Sequence, residues 1–122
     1  MSTESALVGE DFCYLTATGR VTGKPREIEI WFGANGDTIY MLSGGREKSD
    51  WVKNIRKTPE VSVRIGDRRF RGRGRIVTDK DEDALARRLL LEKYAPGYSG
   101  SLSDWGKNAL PVAIDLEAEP GR

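Results

Sequence analysis

The chain has no histidine, one cysteine and two methionines among its 122 residues. Without histidine, a zinc centre loses its commonest nitrogen ligand and an enzyme its commonest base, so no metal site is expected and histidine-based catalysis is excluded. The lone Cys13 cannot close an internal disulfide, and its place in an alternating apolar stretch reads as a small buried hydrophobe. Long apolar runs are also missing: no stretch approaches the ~20 residues of a membrane span, and residues 1–11 lack both the basic start and the apolar block of a signal peptide. A soluble, cytoplasmic protein with no membrane anchor is the expectation. With neither a repeat nor a linker, residues 1–122 are expected to form one domain, with 1–11 as a flexible or short helical lead-in.

What the chain does have is an uneven charge. The net charge is +1, yet residues 20–75 hold 14 Lys or Arg against 7 Asp or Glu, while the remaining positions hold 6 against 12. Such a middle either faces an anionic partner or balances acidic flanks.

Period-two alternation dominates. Cys13, Leu15 and Ala17 alternate with Tyr14, Thr16 and Thr18, and Ile28, Ile30 and Phe32 with Glu27, Glu29 and Trp31, as strands with one buried face should. Asn35-Gly36 is expected to turn the chain into a strand over 38–43. Trp51, Val52 and Ile55 share a face of a short helix over 49–57 that Pro59 terminates. Val61, Val63 and Ile65 lead through Gly66-Asp67 into a strand with Phe70 and Ile76 inward and Arg69, Arg71, Arg73 and Arg75 outward. Gly72 and Gly74 on the inward side predict strong curvature or close approach of another segment. Thr78 is expected to start a second helix, with Leu85, Ala86, Leu89 and Leu90 as its packing stripe; one turn around Trp105 and a strand over 111–116 complete the pattern. About six strands at short spacing with two helices argue for a small antiparallel barrel.

Two glycine-bearing cationic loops flank the hairpin: Thr18-Gly19-Arg20-Val21-Thr22-Gly23-Lys24-Pro25-Arg26 and Ser43-Gly44-Gly45-Arg46-Glu47-Lys48. Glycine lets backbone N–H groups crowd toward a ligand, and Arg and Lys add charge-assisted donors, so such a pair suits an extended anion. The alternative is a pair of ordinary turns with solvated charges. The Arg69 to Arg75 stripe reads as a solvated outer face, a dimer surface or, least well supported by its sparse aromatics, a nucleic-acid site; no nucleic-acid partner is expected.

These two loops, the Trp51-Val52-Lys53-Asn54-Ile55 run and the tail with Tyr94, Pro96, Gly97, Tyr98, Trp105 and Leu110-Pro111-Val112 occur in the order and spacing of one family. The chain resembles the deazaflavin-dependent nitroreductases of the FMN-binding split β-barrel superfamily. That resemblance implies a mainly β fold, a six- to seven-stranded antiparallel split β-barrel with two or three short helices. It also implies the cofactor coenzyme F-420, an 8-hydroxy-5-deazaflavin, and hydride transfer to a small electron-poor acceptor such as a quinone, enone or nitroaromatic. Arg20, Lys24, Arg26, Arg46 and Lys48, with Gly44, Gly45 and Asn54, are then expected to hold the phosphodiester and polyglutamate tail. Trp31, Tyr40, Ser43 and Trp51 are expected to form the slot for the ring. Tyr94 and Tyr98 fall where the family places substrate-pocket tyrosines, which makes them the candidate catalytic residues; loop anchors with satisfied hydroxyls are the other reading. The chain departs from the family in carrying Val21 in place of a lysine and Glu29 in place of a proline beside the ring. FMN in a flavoprotein related to pyridoxamine-phosphate oxidase, and a non-catalytic cofactor-binding module, are the competing functions. A homodimer is the candidate assembly.

Overall fold

The computed structural model describes residues 9–117. The expectation for the first residues of the chain therefore lies largely outside the described residues. The backbone forms β1 (Cys13–Thr18), β2 (Pro25–Ile30), β3 (Gly33–Asn35), β4 (Thr38–Ser43), α1 (Asp50–Lys57), β5 (Glu60–Ile65), β6 (Arg68–Ile76), α2 (Lys80–Tyr94), α3 (Ser103–Asn108) and β7 (Leu110–Leu116). All seven strands join one antiparallel sheet in the order β2-β1-β5-β6-β7-β4-β3. The two edge strands, β2 and β3, are consecutive in the chain and separated only by Trp31 and Phe32. Three residue steps reach at most about 11 Å. The edges are thereby drawn together and the sheet curls into the expected split barrel, with seven strands and three helices.

The alternation read from the sequence is the alternation of burial. Cys13, Leu15 and Ala17 of β1 and Val61, Val63 and Ile65 of β5 face the interior, where Val52 and Ile55 of α1 join them. β4 and β7 are buried on both faces, because Tyr40, Leu42 and Ala113 on their outer side lie under Ala86 and Leu90 of α2. The close approach predicted at two glycines is met by side chains: a Cβ on Gly72 would lie 2.8 Å from Ile114 Cγ2, and one on Gly74 2.7 Å from Ile55 Cγ2.

Two local expectations shift by one residue. Asn35 pairs with Thr38, so the turn residues are Gly36 and Asp37 rather than Asn35 and Gly36. Gly36 takes φ 62° at the first central position, where glycine carries no steric penalty, and this leaves Asn35 free to extend the strand. Helix α2 begins after Asp79, not Thr78, because the Asp79 carboxylate accepts the Glu82 N–H at 2.9 Å and caps it.

The arginine stripe lies on the outer face as expected, and two of its members are ion-paired within the chain. Arg73 pairs with Glu60 across the β5-β6 ladder. Arg75 binds both oxygens of Glu82 at 2.8 and 2.7 Å and reaches Asp115 at 2.7 Å, tying α2 to β7. Tyr40 donates its hydroxyl to Glu82 at 2.7 Å, and Thr38 donates to Asp115 at 3.0 Å.

Adding a methyl group at Gly74 drives it into a β-branched side chain that has little freedom to move. Gly74→Ala is expected to destabilise the fold by about 1–3 kcal/mol in urea denaturation, and Ile55→Ala in the same chain to remove part of that penalty. The Arg75 hydrogen bonds hold the Glu82 and Asp115 carboxyls below their ordinary range. Their contribution is complete above the unfolded carboxylate range near pH ~4 and is lost as pH falls through the folded values. Arg75→Ala is therefore expected to destabilise by about 1 kcal/mol at neutral pH, allowing for solvent screening, and by less near pH ~3. An equal loss at both would assign Arg75 a packing role alone.

Candidate active site

A cleft of about 560 Å³ opens between the β1-β2 hairpin and α1. Its floor is the inward row of the hairpin, Leu15, Ala17 and Ile28, because these alternate with the outward Thr16 and Glu27. Trp51 and Asn54 of α1 form one wall, with Asp50 at the start of the helix, and Arg20, Val21, Thr22 and Arg26 form the rim. The hairpin loop is closed by Gly19 N–H to the Lys24 carbonyl at 2.8 Å and Gly23 N–H to the Gly19 carbonyl at 2.9 Å. It is fastened to α1 through Asn54, whose Oδ1 accepts the Arg20 backbone N–H at 3.0 Å and Arg20 Nη1 at 2.9 Å. Lys57 Nζ holds the Arg20 carbonyl at 3.1 Å.

Of the expected cofactor residues, Arg20, Arg26, Trp51 and Asn54 are brought together in this cleft. Lys24 lies on the same loop, its backbone N–H donating to Thr22 Oγ1 at 3.2 Å, but it does not line the cleft. Val21 is on the rim and exposed, so this position contributes no charge there. Glu29 pairs with Tyr14 on the outer face, opposite in parity to Ile28, and so faces away from the cleft.

The second glycine loop precedes α1. Ser43 is buried, donates to the Arg46 carbonyl at 2.9 Å and pairs with Ser49 Oγ at 2.8 Å. Its hydroxyl is therefore spent inside the turn. A Cβ on Gly45 would lie 2.5 Å from Ser49 Oγ, and Arg46 adopts a left-handed φ of 54°. The Arg46 guanidinium donates to the Asn108 carbonyl at the end of α3, and Lys48 is exposed. Gly44 faces Trp105, whose Cδ1 would be 3.8 Å from a Cβ there.

The remaining candidates form an aromatic cluster on the α2 side. Trp31 stacks on Tyr94 with centroids 4.2 Å apart and planes 4° from parallel, and meets Tyr98 and Trp105 edge-on at 6.1 and 5.6 Å. Tyr94 is an anchor: its hydroxyl accepts the Phe32 N–H at 3.0 Å and donates to the Asp11 carbonyl at 2.6 Å. Burial pushes its pKa up to about 12, so the phenol stays protonated. Tyr98 is 47% exposed. The four-residue ring slot expected from the sequence is not assembled as one wall. Trp51 packs with the barrel interior while Trp31 belongs to the cluster under α2, and Tyr40 lies beneath α2 with its hydroxyl on Glu82. Tyr40 and Met41 are neighbours on a strand buried on both faces, and alternation sends Tyr40 outward.

Sequence reasoning missed Asp50. Its carboxylate accepts from Arg20 Nη2 at 3.0 Å and its carbonyl from Arg20 Nη1 at 3.4 Å, and its spacing of four from Asn54 on one helix face was the available signal. Among the described residues, no group of three or more His, Cys, Asp or Glu could hold a metal, and no helix is long and apolar enough to cross a membrane.

The donor set suits a ligand with a flat ring and an anionic arm. Leu15, Ala17, Ile28 and Trp51 offer an apolar bed, Arg20 and Arg26 offer forked donors at its rim, and the volume falls in the range of small-ligand sites. Comparison with known proteins agrees. Residues 2–117 match the model of a family described as F-420H(2)-dependent quinone reductase. An F-420H(2)-dependent quinone reductase of Mycobacterium tuberculosis is 27% identical over 104 residues, covering 82% of this chain and 69% of that protein. A solved F-420-H2-dependent reductase superposes with a TM-score of 0.69 at 24% identity, over 88% of this chain and 94% of its own. A solved domain-swapped dimer gives the same TM-score, 0.69, at 24% identity, over 88% of this chain and 80% of its own. The fold, the apolar and cationic cleft, and a family match spanning residues 2–117 lead to one conclusion: the chain belongs to the F-420H(2)-dependent quinone reductase family and is an oxidoreductase whose cofactor is coenzyme F-420.

Proposed function

We propose that the cleft between the β1-β2 hairpin and α1 seats the cofactor and that the acceptor is a small electron-poor carbonyl or nitro compound, a quinone first among them. The observation that carries this reading is the pairing of a cationic rim, Arg20 and Arg26, with an apolar bed that includes Trp51. When bound, the reduced cofactor supplies a hydride. The chain's own residues bind and orient. Arg20 and Arg26 take the phosphodiester, with Lys24 beside them on the loop and Lys48 and Arg46 on the neighbouring turn as further cations for the carboxylate tail. Trp51 packs against the flat part of the ligand. Tyr94 holds Trp31 in place, and Tyr98, with its exposed phenol, is the group able to donate a hydrogen bond to an acceptor oxygen. Reduction of a quinone by one hydride then requires a single further proton, which Tyr98 or solvent supplies. A cytoplasmic homodimer completes the reading, supported by the domain-swapped dimer that shares this fold.

Trp51 alone among the three tryptophans lines the cleft. Saturable quenching of tryptophan emission by coenzyme F-420, largely abolished in Trp51→Phe, is expected; quenching by FMN alone would move the protein to the flavin branch, and silence with both would overturn the proposed seat. Steady oxidation of the reduced cofactor with menadione would exclude a purely binding role. Arg26 makes no side-chain hydrogen bond or ion pair among the described residues, so Arg26→Ala is expected to weaken F-420 binding about 10- to 100-fold, the weight of a charge-assisted bond, with little change in Tm. Arg20→Ala should weaken binding and also lower Tm, because Arg20 fastens the hairpin to Asn54.

A further inference from the structure

The Arg20 guanidinium donates to side chains of two residues, and they differ in kind. Asn54 is 5% exposed and takes both the Arg20 backbone N–H and Nη1 on a single oxygen. With Lys57 on the Arg20 carbonyl and the Asp50 main-chain carbonyl on Nη1 at 3.4 Å, these contacts hold the arginine main chain and one arm of its fork without help from the Asp50 carboxylate. Asp50 takes the other arm, Nη2, at 3.0 Å, from a side chain that is 84% exposed. Of the two guanidinium groups at the cleft, Arg20 and Arg26, only Arg20 meets a carboxylate among the described residues before any ligand arrives.

We infer that Asp50 is a built-in competitor at Arg20: its carboxylate occupies the donor that a ligand's phosphate group would take, and so sets both the affinity and the anion preference of the cleft. The inference rests on the proposed seating of the cofactor's phosphodiester at Arg20. A free carboxylate offers Nη2 nothing that Asp50 does not already supply, and Asp50 is tethered at an effective concentration on the order of mM. A phosphate group presents several oxygens to a fork and can bridge the arm of Arg20 to a neighbouring donor. The displaced carboxylate then stays nearby as a like charge and further limits affinity. Loading of the site is therefore an exchange of one anion for another.

The test uses the full chain in wild-type form, as Asp50→Asn and as Glu92→Gln. The control removes the same charge from an exposed carboxylate of α2 that does not line the cleft. Each is titrated with coenzyme F-420, read by tryptophan quenching, and with inorganic pyrophosphate and acetate, read by the NMR resonance of the Arg20 side-chain N–H, and Tm is recorded for all three. Asp50→Asn is expected to bind both F-420 and pyrophosphate about two- to fivefold tighter, the range of an exposed ion pair, with a larger gain for acetate and no change in the control. Unchanged or weaker binding in Asp50→Asn would overturn the inference and make Asp50 a positioning residue or a bystander. So would pyrophosphate that fails to move the Arg20 resonance in any form. Tighter pyrophosphate binding without F-420 binding would sustain the inference and defeat the proposed function; F-420 binding of equal strength in all three would do the reverse.

Discussion

The bridge of two residues between β2 and β3 is the constraint on which the rest of the molecule depends. Phe32 leaves one edge of the sheet as Gly33 enters the other, so its backbone groups stand outside the ladder while its ring is buried in the barrel. Buried backbone polar groups need partners, and the last turn of α2 supplies them. Tyr94 takes the Phe32 N–H, and Lys93 donates to the Phe32 carbonyl at 3.1 Å with its ammonium 3.7 Å above the Phe32 ring. Burial lowers the pKa of Lys93 and raises that of Tyr94, which matches groups enclosed at a seam. The clasp reaches one segment further, since the same phenol donates to the Asp11 carbonyl.

Closure of the barrel decides where α1 can go. A curled sheet with apolar residues on its concave side needs filling, and Val52 and Ile55 fill it, Ile55 where Gly74 leaves room. With that face of α1 pinned inside, Trp51, Asn54 and Asp50 are carried to the rim opposite the β1-β2 hairpin. The cleft is thus positioned by a helix and two paired strands, which hold side-chain geometry more tightly than free loops do. The hairpin loop, the one irregular wall, is locked to α1 by the two hydrogen bonds of Arg20 to Asn54.

Much of this was legible in the chain. Alternation identified the inward rows of β1, β5 and β6, the glycine pair marked close approach of β7 and α1 to β6, and the two cationic loops with the helix that follows them pointed to residues that share a cleft, Arg20 and Arg26 with Trp51 and Asn54. What was hidden is what depends on curvature. Period two says that Tyr40 and Met41 face opposite ways, but not which face meets α1 and which meets α2, so Tyr40 was assigned to a ring slot and lies instead against Glu82. Trp31 and Trp51 looked equivalent as aromatics near glycine loops, yet the seam sends them to different packing layers. The first turn of α2 was misplaced because Thr and Asp both cap helices and only the hydrogen bond to Glu82 separates them. Asp50 was passed over despite its spacing from Asn54, because an acid at a helix start has a sufficient reason to be there in the helix dipole alone.

The basic excess of residues 20–75 looked like the electrostatic footprint of the ligand, but the structure divides it. Arg69, Arg71, Arg73 and Arg75 lie on the outer face of β6, where Glu60, Glu82 and Asp115 answer the last two, while within the cleft Asp50 opposes Arg20. The two scales act differently on an anion. At separations near the Debye length of about 8 Å, the uneven distribution of charge sets the potential that an approaching ligand meets. At hydrogen-bond distance only the donors of individual guanidinium groups count, and there Arg26 is open while Arg20 is shared among Asn54, Asp50 and whatever arrives. An anion is thus drawn by the whole face but retained by a contest at one fork, so a site that is weakly basic in sum can still be selective among anions.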